Sequence, residues 1–449
     1  MATHEKFAFQ TIDQLENRVA SLGLDVHFQE DLSPLWRPRR PITIGGRTVP
    51  NVLAIHPMEG CDGAADGSPD TLTYRRYDRF ARGGAGLLWF EATAVVPEGR
   101  ANPRQLWIHA GNVAAFRELL SASLRAAQES CGEMHRPFTV LQLTHSGRYC
   151  KPEGRPAPII PQHDPLLDPK VGGTDAHALV TDEYLEHLED AYVAAARFAW
   201  QAGFDAVDIK SCHRYLLSEL LAAHTRPGRF GGSFENRTRL LREIVARIRQ
   251  SAPELLVAVR LNAYDGHPYP YGWGVSQADP TVSDLSEPKR LVELLRQDGV
   301  CLLNVTTGNP YFNAHLTRPL DSQIKGALLP AEHPLEGVAR MFHVVQEIQQ
   351  GQPGMPVVGS GYSWLRQFFP QAAASNLFNG RVSLVGLGRL AFAYPDFPRD
   401  LRNRGVLDPR RVCIACSKCT QLMRDGGMAG CVVRDAAVYA PLYKRYCGS

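Results

Sequence analysis

Much is scarce in this chain, and each scarcity excludes something. No apolar run in its 449 residues reaches the ~18–20 that a membrane-spanning helix needs, so no membrane role is expected. The first residues, MATHEKFAFQTIDQLENRV, lack the apolar segment of a secretory signal. Net charge is only +3 and the basic residues are scattered, which leaves no electrostatic footprint for nucleic acid. There is no internal repeat at solenoid period and no low-complexity tract. Cysteine is sparse, at ten residues. Six of the ten (Cys61, Cys131, Cys150, Cys212, Cys301 and Cys447) are widely spaced and form no disulfide framework. A reducing, cytoplasmic setting is expected.

What is present is ordinary globular composition, 44% hydrophobic and 21% charged, with ample material for a core. Short apolar runs alternate with amphipathic stretches. The strand-like runs cover 51–57, 86–92, 138–143, 205–210, 255–261, 301–306, 356–361 and 383–388. Helix-like stretches lie between them, for example at 181–203, 235–250 and 334–350. The first of these opens on Thr181 with Glu183 and Glu186 early, which suits a helix N-terminus. Eight such units predict an α/β fold, a (β/α)₈ TIM barrel. The competing fold is a doubly wound open sheet, but no GxGxxG turn follows an early strand. The barrel is expected over 36–404. Residues 1–35 form an N-terminal extension with a helix, and 405–449 form a separate C-terminal segment. The loop 262–286 is long and aromatic, and such loops usually carry function.

In a barrel the chemistry gathers where strands end. Strand 1 ends in His56-Pro57-Met58-Glu59, strand 2 in Glu91-Ala92 and strand 3 in Gln142 with His145 and Arg148 beyond. Strand 4 ends in Lys210-Ser211-Cys212-His213-Arg214-Tyr215, and strand 5 carries Arg260. Strands 7 and 8 end in Gly359-Ser360-Gly361 and Gly386-Leu387-Gly388-Arg389. Two glycine-rich ends in these units point to a phosphate, which backbone N–H groups approach closely and Arg389 grips. In the C-terminal segment, Cys413, Cys416, Cys419 and Cys431 are separated by two, two and eleven residues. Four thiolates so spaced can hold a [4Fe-4S] cube or a zinc ion.

FEATAVVPEGR (90–100), LQLTHSGR (141–148) and above all GFDAVDIKSCHRYLLSELLAAHTRPGRFGGSFENRTR (203–239) resemble the Old Yellow Enzyme family of FMN-dependent oxidoreductases. The resemblance runs in order over roughly 36–400. It implies an FMN site. Pro57, Met58 and Glu59 would line one flavin edge, with Ala92 beside them. Gln142 would pair with the pyrimidine edge, and Arg260 would sit near N1 and O2. Gly359, Gly361, Gly388 and Arg389 would hold the phosphate. Tyr215 matches the family's proton donor, aided by Lys210 or His213.

A subgroup of the family, the 2,4-dienoyl-CoA reductases and trimethylamine dehydrogenases, binds a [4Fe-4S] cluster on four cysteines just after the barrel. The resemblance therefore assigns Cys413, Cys416, Cys419 and Cys431 to such a cluster, close to the flavin. Those relatives continue into a nucleotide-binding domain, whereas this sequence stops soon after Cys431. Electrons are thus expected to pass through a separate electron-transfer protein, or to enter directly from NAD(P)H. The expected substrate is a small molecule with an activated C=C bond.

Two departures bear on that substrate. Family ene reductases usually place His-x-x-His or His-x-x-Asn where this chain has Lys210-Ser211-Cys212-His213. Glu59 stands where a small residue or cysteine is common. Its carboxylate opposes an anionic reduced flavin unless it pairs with Lys210 or is protonated. An alternative is amine dehydrogenation, with Tyr269, Tyr271 and Trp273 as an aromatic cage for a cation. Another is a flavin-free barrel with a structural zinc tail. His315, after strand 6, is a candidate assistant to the proton donor.

Overall fold

The computed structural model describes residues 3–38, 41–172 and 179–448. A small hairpin comes first, β1 (Thr43–Ile44) and β2 (Arg47–Thr48), paired antiparallel. Eight parallel strands follow: β3 (Leu53–Ile55), β4 (Leu87–Ala94), β5 (Phe138–Thr144), β6 (Ala206–Ser211), β7 (Leu256–Tyr264), β8 (Leu302–Thr307), β9 (Val357–Gly359) and β10 (Leu384–Leu387). They close in sequence order, β10 pairing with β3. With helices between them, this is a (β/α)₈ barrel.

The strands read as continuous apolar runs because both of their faces are covered. One face packs on the helices and the other on the barrel interior. The lower interior is apolar, built from Ala54, Leu87, Trp89, Val140, Ala258 and Val358 among others. The β1–β2 hairpin, which the sequence did not suggest, caps that end with Ile44. Its turn uses Gly45 and Gly46, both at positive φ (+53° and +86°), as a two-residue hairpin of right-twisted strands requires. A side chain at Gly45 would also strike Leu256.

The 181–203 stretch forms helix Asp182–Ala202, with the Thr181 hydroxyl accepting from the Tyr184 N–H as an N-cap. Before the barrel, helix Ile12–Ser21 packs Leu15 and Val19 inward.

Beyond helix Phe397–Arg404, which ends on left-handed Gly405, the chain folds back over the strands' C-terminal ends. The Ala429 N–H donates to the Gly60 carbonyl (2.6 Å) and the Asp321 N–H to the Ala415 carbonyl (3.1 Å). Asp435 is gripped by Arg75 (2.7 and 2.9 Å) and Arg79, both on helix Thr71–Arg82. Asp435→Ala is expected to loosen this cover alone. Amide exchange across 431–447 should rise roughly five- to thirtyfold, the effect of 1–2 kcal/mol, with the barrel strands unchanged.

Candidate active site

Side chains on a strand alternate, so β6 sends Ala206, Asp208 and Lys210 inward at successive heights. Asp208 forms a polar floor. It accepts from Trp89 Nε1 (2.9 Å), Gln142 Nε2 (2.5 Å) and the Arg260 N–H (2.5 Å). Burial outweighs these donors and pushes its carboxyl up to about 6.

Above the floor, Lys210 and Arg260 are register partners on β6 and β7. Lys210 Nζ pairs with Glu59 Oε1 at 2.9 Å, with only 3% of the lysine side chain exposed. The same ammonium lies 3.7 Å from the centre of the Tyr215 ring. The Tyr215 hydroxyl donates to Glu59 Oε1 (3.2 Å). Burial first, then the Glu59 charge, holds the Tyr215 phenol well above its ordinary range. His213 is driven the other way, by burial and by the Arg260 and Lys210 charges, and stays neutral.

The backbone aims Tyr215 at this pair. His213 and Arg214 are both left-handed, at φ +65° and +58°, where non-glycine residues are strained. Arg214 is locked there by Asp164 and Asp265 (3.2 Å each) and by the Tyr271 carbonyl (2.7 Å). Tyr215 then caps the short helix Leu216–Leu221.

Two adjoining recesses, of about 170 and 130 Å³, open between the strand ends and the C-terminal segment. Both are lined by Pro57, Met58, His213, Arg260, Arg318 and Arg389. Glu59, Lys210 and Tyr215 line the second. Gly361 and Gly388 line the first. Gly361 is left-handed (φ +100°), and a Cβ at Gly388 would sit 2.7 Å from the Met58 sulfur. Arg260 Nε, Arg389 Nη1 and His213 Nε2 are buried without hydrogen-bond partners among the described residues. Two unpartnered guanidinium donors and a neutral imidazole beside close-approach glycines fit an anionic, hydrogen-bonding cofactor such as FMN.

Gln142, Ala92 and Gly359 do not line these recesses. The Gln142 amide is spent on Asp208, and the Ala92 carbonyl accepts from Gln105 (3.1 Å).

All four cysteines of the C-terminal segment line one small cavity with Arg389 and Phe392. Cys413 also reaches the first recess and Cys419 the second. Backbone N–H groups of Ala415 and Arg434 point at the sulfurs of Cys413 (3.4 Å) and Cys431 (3.3 Å). Ala415 and Ser417 are left-handed (φ +50° and +59°), winding the loop so that its cysteines face inward. Arg318 Nη1 donates to Ser417 Oγ (3.2 Å), tying the loop to the barrel. Among the described residues, no three His, Cys, Asp or Glu side chains converge closely enough to hold a single metal ion.

Other strand-end and loop residues lie outside the recesses. His145 is buried against the Tyr184 hydroxyl (2.9 Å), and Arg148 pairs with Glu219 (2.6 Å) and Asp168. Both brace loops and neither lines a recess. The aromatic cage does not assemble. Trp273 is core, its Nε1 donating to the Asn262 carbonyl (2.9 Å), while Tyr269 is 42% exposed beside His224. His315, on the short helix Ala314–Thr317, lines neither recess.

The structure adds Tyr311 and Arg318 from loops and Arg424 from the end of helix Lys418–Arg424. The turn Gly308-Asn309-Pro310 after β8 was the available signal.

Comparison with known proteins decides the family. Residues 39–278 match the NADH:flavin oxidoreductase / NADH oxidase family. The chain belongs to this family. It is an FMN-dependent oxidoreductase. An NADPH dehydrogenase of Geobacillus sp. is 33% identical over 276 residues, which cover 60% of this chain and 72% of that one. An NADH:flavin oxidoreductase of Gibberella zeae is 27% identical over 368 residues, 73% of this chain and 82% of that one.

Among solved structures, a 2-naphthoyl-CoA reductase complex superposes at TM-score 0.72 with 18% identity, over 92% of this chain. A histamine dehydrogenase from Rhizobium sp. 4-9 does so at 0.67 with 20% identity, over 90%. This family member spans 58% and 52% of their respective lengths. An old yellow enzyme homologue from Zymomonas mobilis superposes at 0.59 with 21% identity, covering 83% of this chain and 94% of its own. At these identities the structural likeness carries the fold.

Proposed function

We propose that this enzyme is an FMN- and [4Fe-4S]-dependent reductase of activated C=C bonds, with Tyr215 as proton donor. The observation that carries this reading is the cluster of Lys210, Glu59 and Tyr215 in a recess shared with Arg260, beneath a four-cysteine cover. Arg260 would lie against the flavin, and Gly361, Gly388 and Arg389 would hold its phosphate. When bound, FMN supplies hydride to one alkene carbon. Tyr215 donates the proton to the other.

Lys210 has two tasks. Its charge neutralises Glu59, and it stands beside the phenolate that Tyr215 leaves. Without it, a buried carboxylate next to a forming phenolate would oppose proton transfer. Lys210 also favours a substrate whose activating group carries negative charge.

The cysteines suit a cube better than zinc. Zinc draws four sulfurs to within about 2.3 Å of one point. A cube takes each sulfur on a different iron, so its ligands stand around a cavity, as these four do. Such a cluster would supply one-electron transfer; Cys413 and Cys419, which line the recesses, are the residues that would hold it beside the flavin. The electron source we propose is NAD(P)H or a separate electron-transfer protein.

An anaerobic absorption spectrum of fresh protein, with iron and sulfide assays, tests both cofactors. Flavin absorption near ~450 nm over a broad ~400 nm shoulder, with about four irons per chain, is expected. Flavin with one zinc and no iron would remove the redox role of the tail. A colourless protein that cannot take up FMN would overturn the reading.

A further inference from the structure

A second tyrosine stands behind the first. The Tyr311 hydroxyl lies 3.2 Å from that of Tyr215. Geometry leaves either oxygen as donor, but the neighbours decide. The Glu59 oxygen, paired with Lys210, is the acceptor of the Tyr215 hydroxyl. The single Tyr215 proton is directed to Glu59, so the Tyr311 hydroxyl must donate to the Tyr215 oxygen. The chain therefore runs one way, from Tyr311 to Tyr215 to Glu59.

Tyr311 is also placed at a boundary. With Glu59, Met423 and Arg424, it lines both the inner recess and an adjoining outer cavity of about 820 Å³ beside Arg104, Lys151 and Lys170. Tyr215 lines the inner recess and not the outer cavity. The Tyr311 ring is held from both sides. Tyr149 stacks on it at 3.8 Å between centres, and the Arg424 guanidinium lies 5.1 Å from its centre. Asn309 anchors both tyrosines, donating to the Tyr149 hydroxyl (2.9 Å) and accepting from the Tyr311 N–H (2.9 Å).

We propose that Tyr311 is a positioning residue that relays protons from the outer cavity to Tyr215. The inference rests on the ene-reductase reading above. As an O–H bond of Tyr215 breaks and a C–H bond forms on the substrate, the Tyr311 proton moves to the Tyr215 oxygen. Water in the outer cavity then returns a proton to Tyr311. No electrons move along this path. The hydride and the proton together saturate the alkene.

Tyr311→Phe keeps the ring stack and removes only the hydroxyl. Stopped-flow measurement of the two half-reactions separates the roles, with N-ethylmaleimide and 2-cyclohexen-1-one as probe alkenes. Flavin reduction by dithionite, the FMN spectrum and FMN affinity should match the parent. Reoxidation by alkene should slow at least tenfold, and the solvent deuterium isotope effect should change from a multi-proton to a single-proton inventory. KM should hold while kcat falls.

An unchanged isotope inventory, or equal losses in both half-reactions, would overturn the relay and leave Tyr311 as packing. If Tyr215→Phe also leaves alkene reduction intact, or the parent reduces neither probe, the ene-reductase reading fails and the relay with it. A silent Tyr311→Phe beside a slow Tyr215→Phe overturns the relay alone.

Discussion

Replacing Tyr215 with phenylalanine is expected to slow alkene reduction by about 10²- to 10⁴-fold, the contribution of a positioned general acid. The flavin should still be reduced by NADPH or dithionite at close to the parent rate. The split follows from position. Tyr215 stands with Lys210 and Glu59 in the recess that Arg260 shares, so it can meet the alkene. On the proposed reading its hydroxyl has no part in loading hydride onto the flavin. The phenol is held far above its ordinary range, chiefly by burial and then by Glu59. It therefore stays protonated through the whole working pH range, which an acid requires.

The cost is a poor driving force for giving that proton up. Lys210 offsets it, 3.7 Å from the ring and 2.9 Å from Glu59. Lys210→Met should reproduce part of the Tyr215→Phe defect and weaken anionic substrates more than neutral ones. Equal slowing of both half-reactions by Tyr215→Phe would mean that the residue shapes the recess and donates nothing.

The barrel was legible because burial on both faces writes each strand as an apolar run. All eight runs became strands in the predicted order. That the ends of β9 and β10 meet was legible for a similar reason, since topology says which strand ends adjoin; of the residues named there, Gly361, Gly388 and Arg389 line the first recess and Gly359 does not. Less visible was anything held by contacts between distant segments. The hairpin Thr43–Ile44 with Arg47–Thr48 is two residues a side, too short for a periodic signal. Tyr311 reaches Tyr215 across 96 residues, and the turn before it marks a loop without saying which of its side chains enters the site. The aromatic loop left two readings open because Trp273 and Tyr269 carry the same composition signal in core and solvent alike. The left-handed His213 and Arg214 were hidden too, since their strain is stabilised by Asp164 and Asp265, far away in sequence.

The largest stability effect is expected at Arg76, on the helix that joins barrel mouth and cover. Arg76 is buried and bridges two buried carboxylates, Asp62 and Glu91. Asp62 also accepts from the Thr73 hydroxyl (2.7 Å), and Glu91 from the Gly60 N–H (2.7 Å). One guanidinium thus serves two carboxylates. Burial, with the Asp62 charge opposing Arg76, pushes Glu91 up to about 7. Arg76→Leu strands both anions and should cost about 3–5 kcal/mol in denaturant unfolding.

The pH dependence has a definite sign. A carboxyl raised in the folded state binds more protons there than in the unfolded chain between its ordinary value and about 7. Stability therefore falls as pH rises through that window and recovers as pH drops toward 4.5. Arg76→Leu should steepen this slope, and adding Glu91→Gln should flatten it and restore part of the loss. A pH-independent defect would mean that Arg76 acts by packing alone.

The same change reaches the chemistry. Gly60 is held by Glu91 on its N–H and by Ala429 on its carbonyl, and its neighbour Glu59 is the partner of Lys210. Loosening Arg76 releases this loop from both sides. The variant should lose the Glu59–Lys210 pair and the seating of the cysteine segment together, while the strands Leu87–Ala94 and Ala206–Ser211 keep their amide protection.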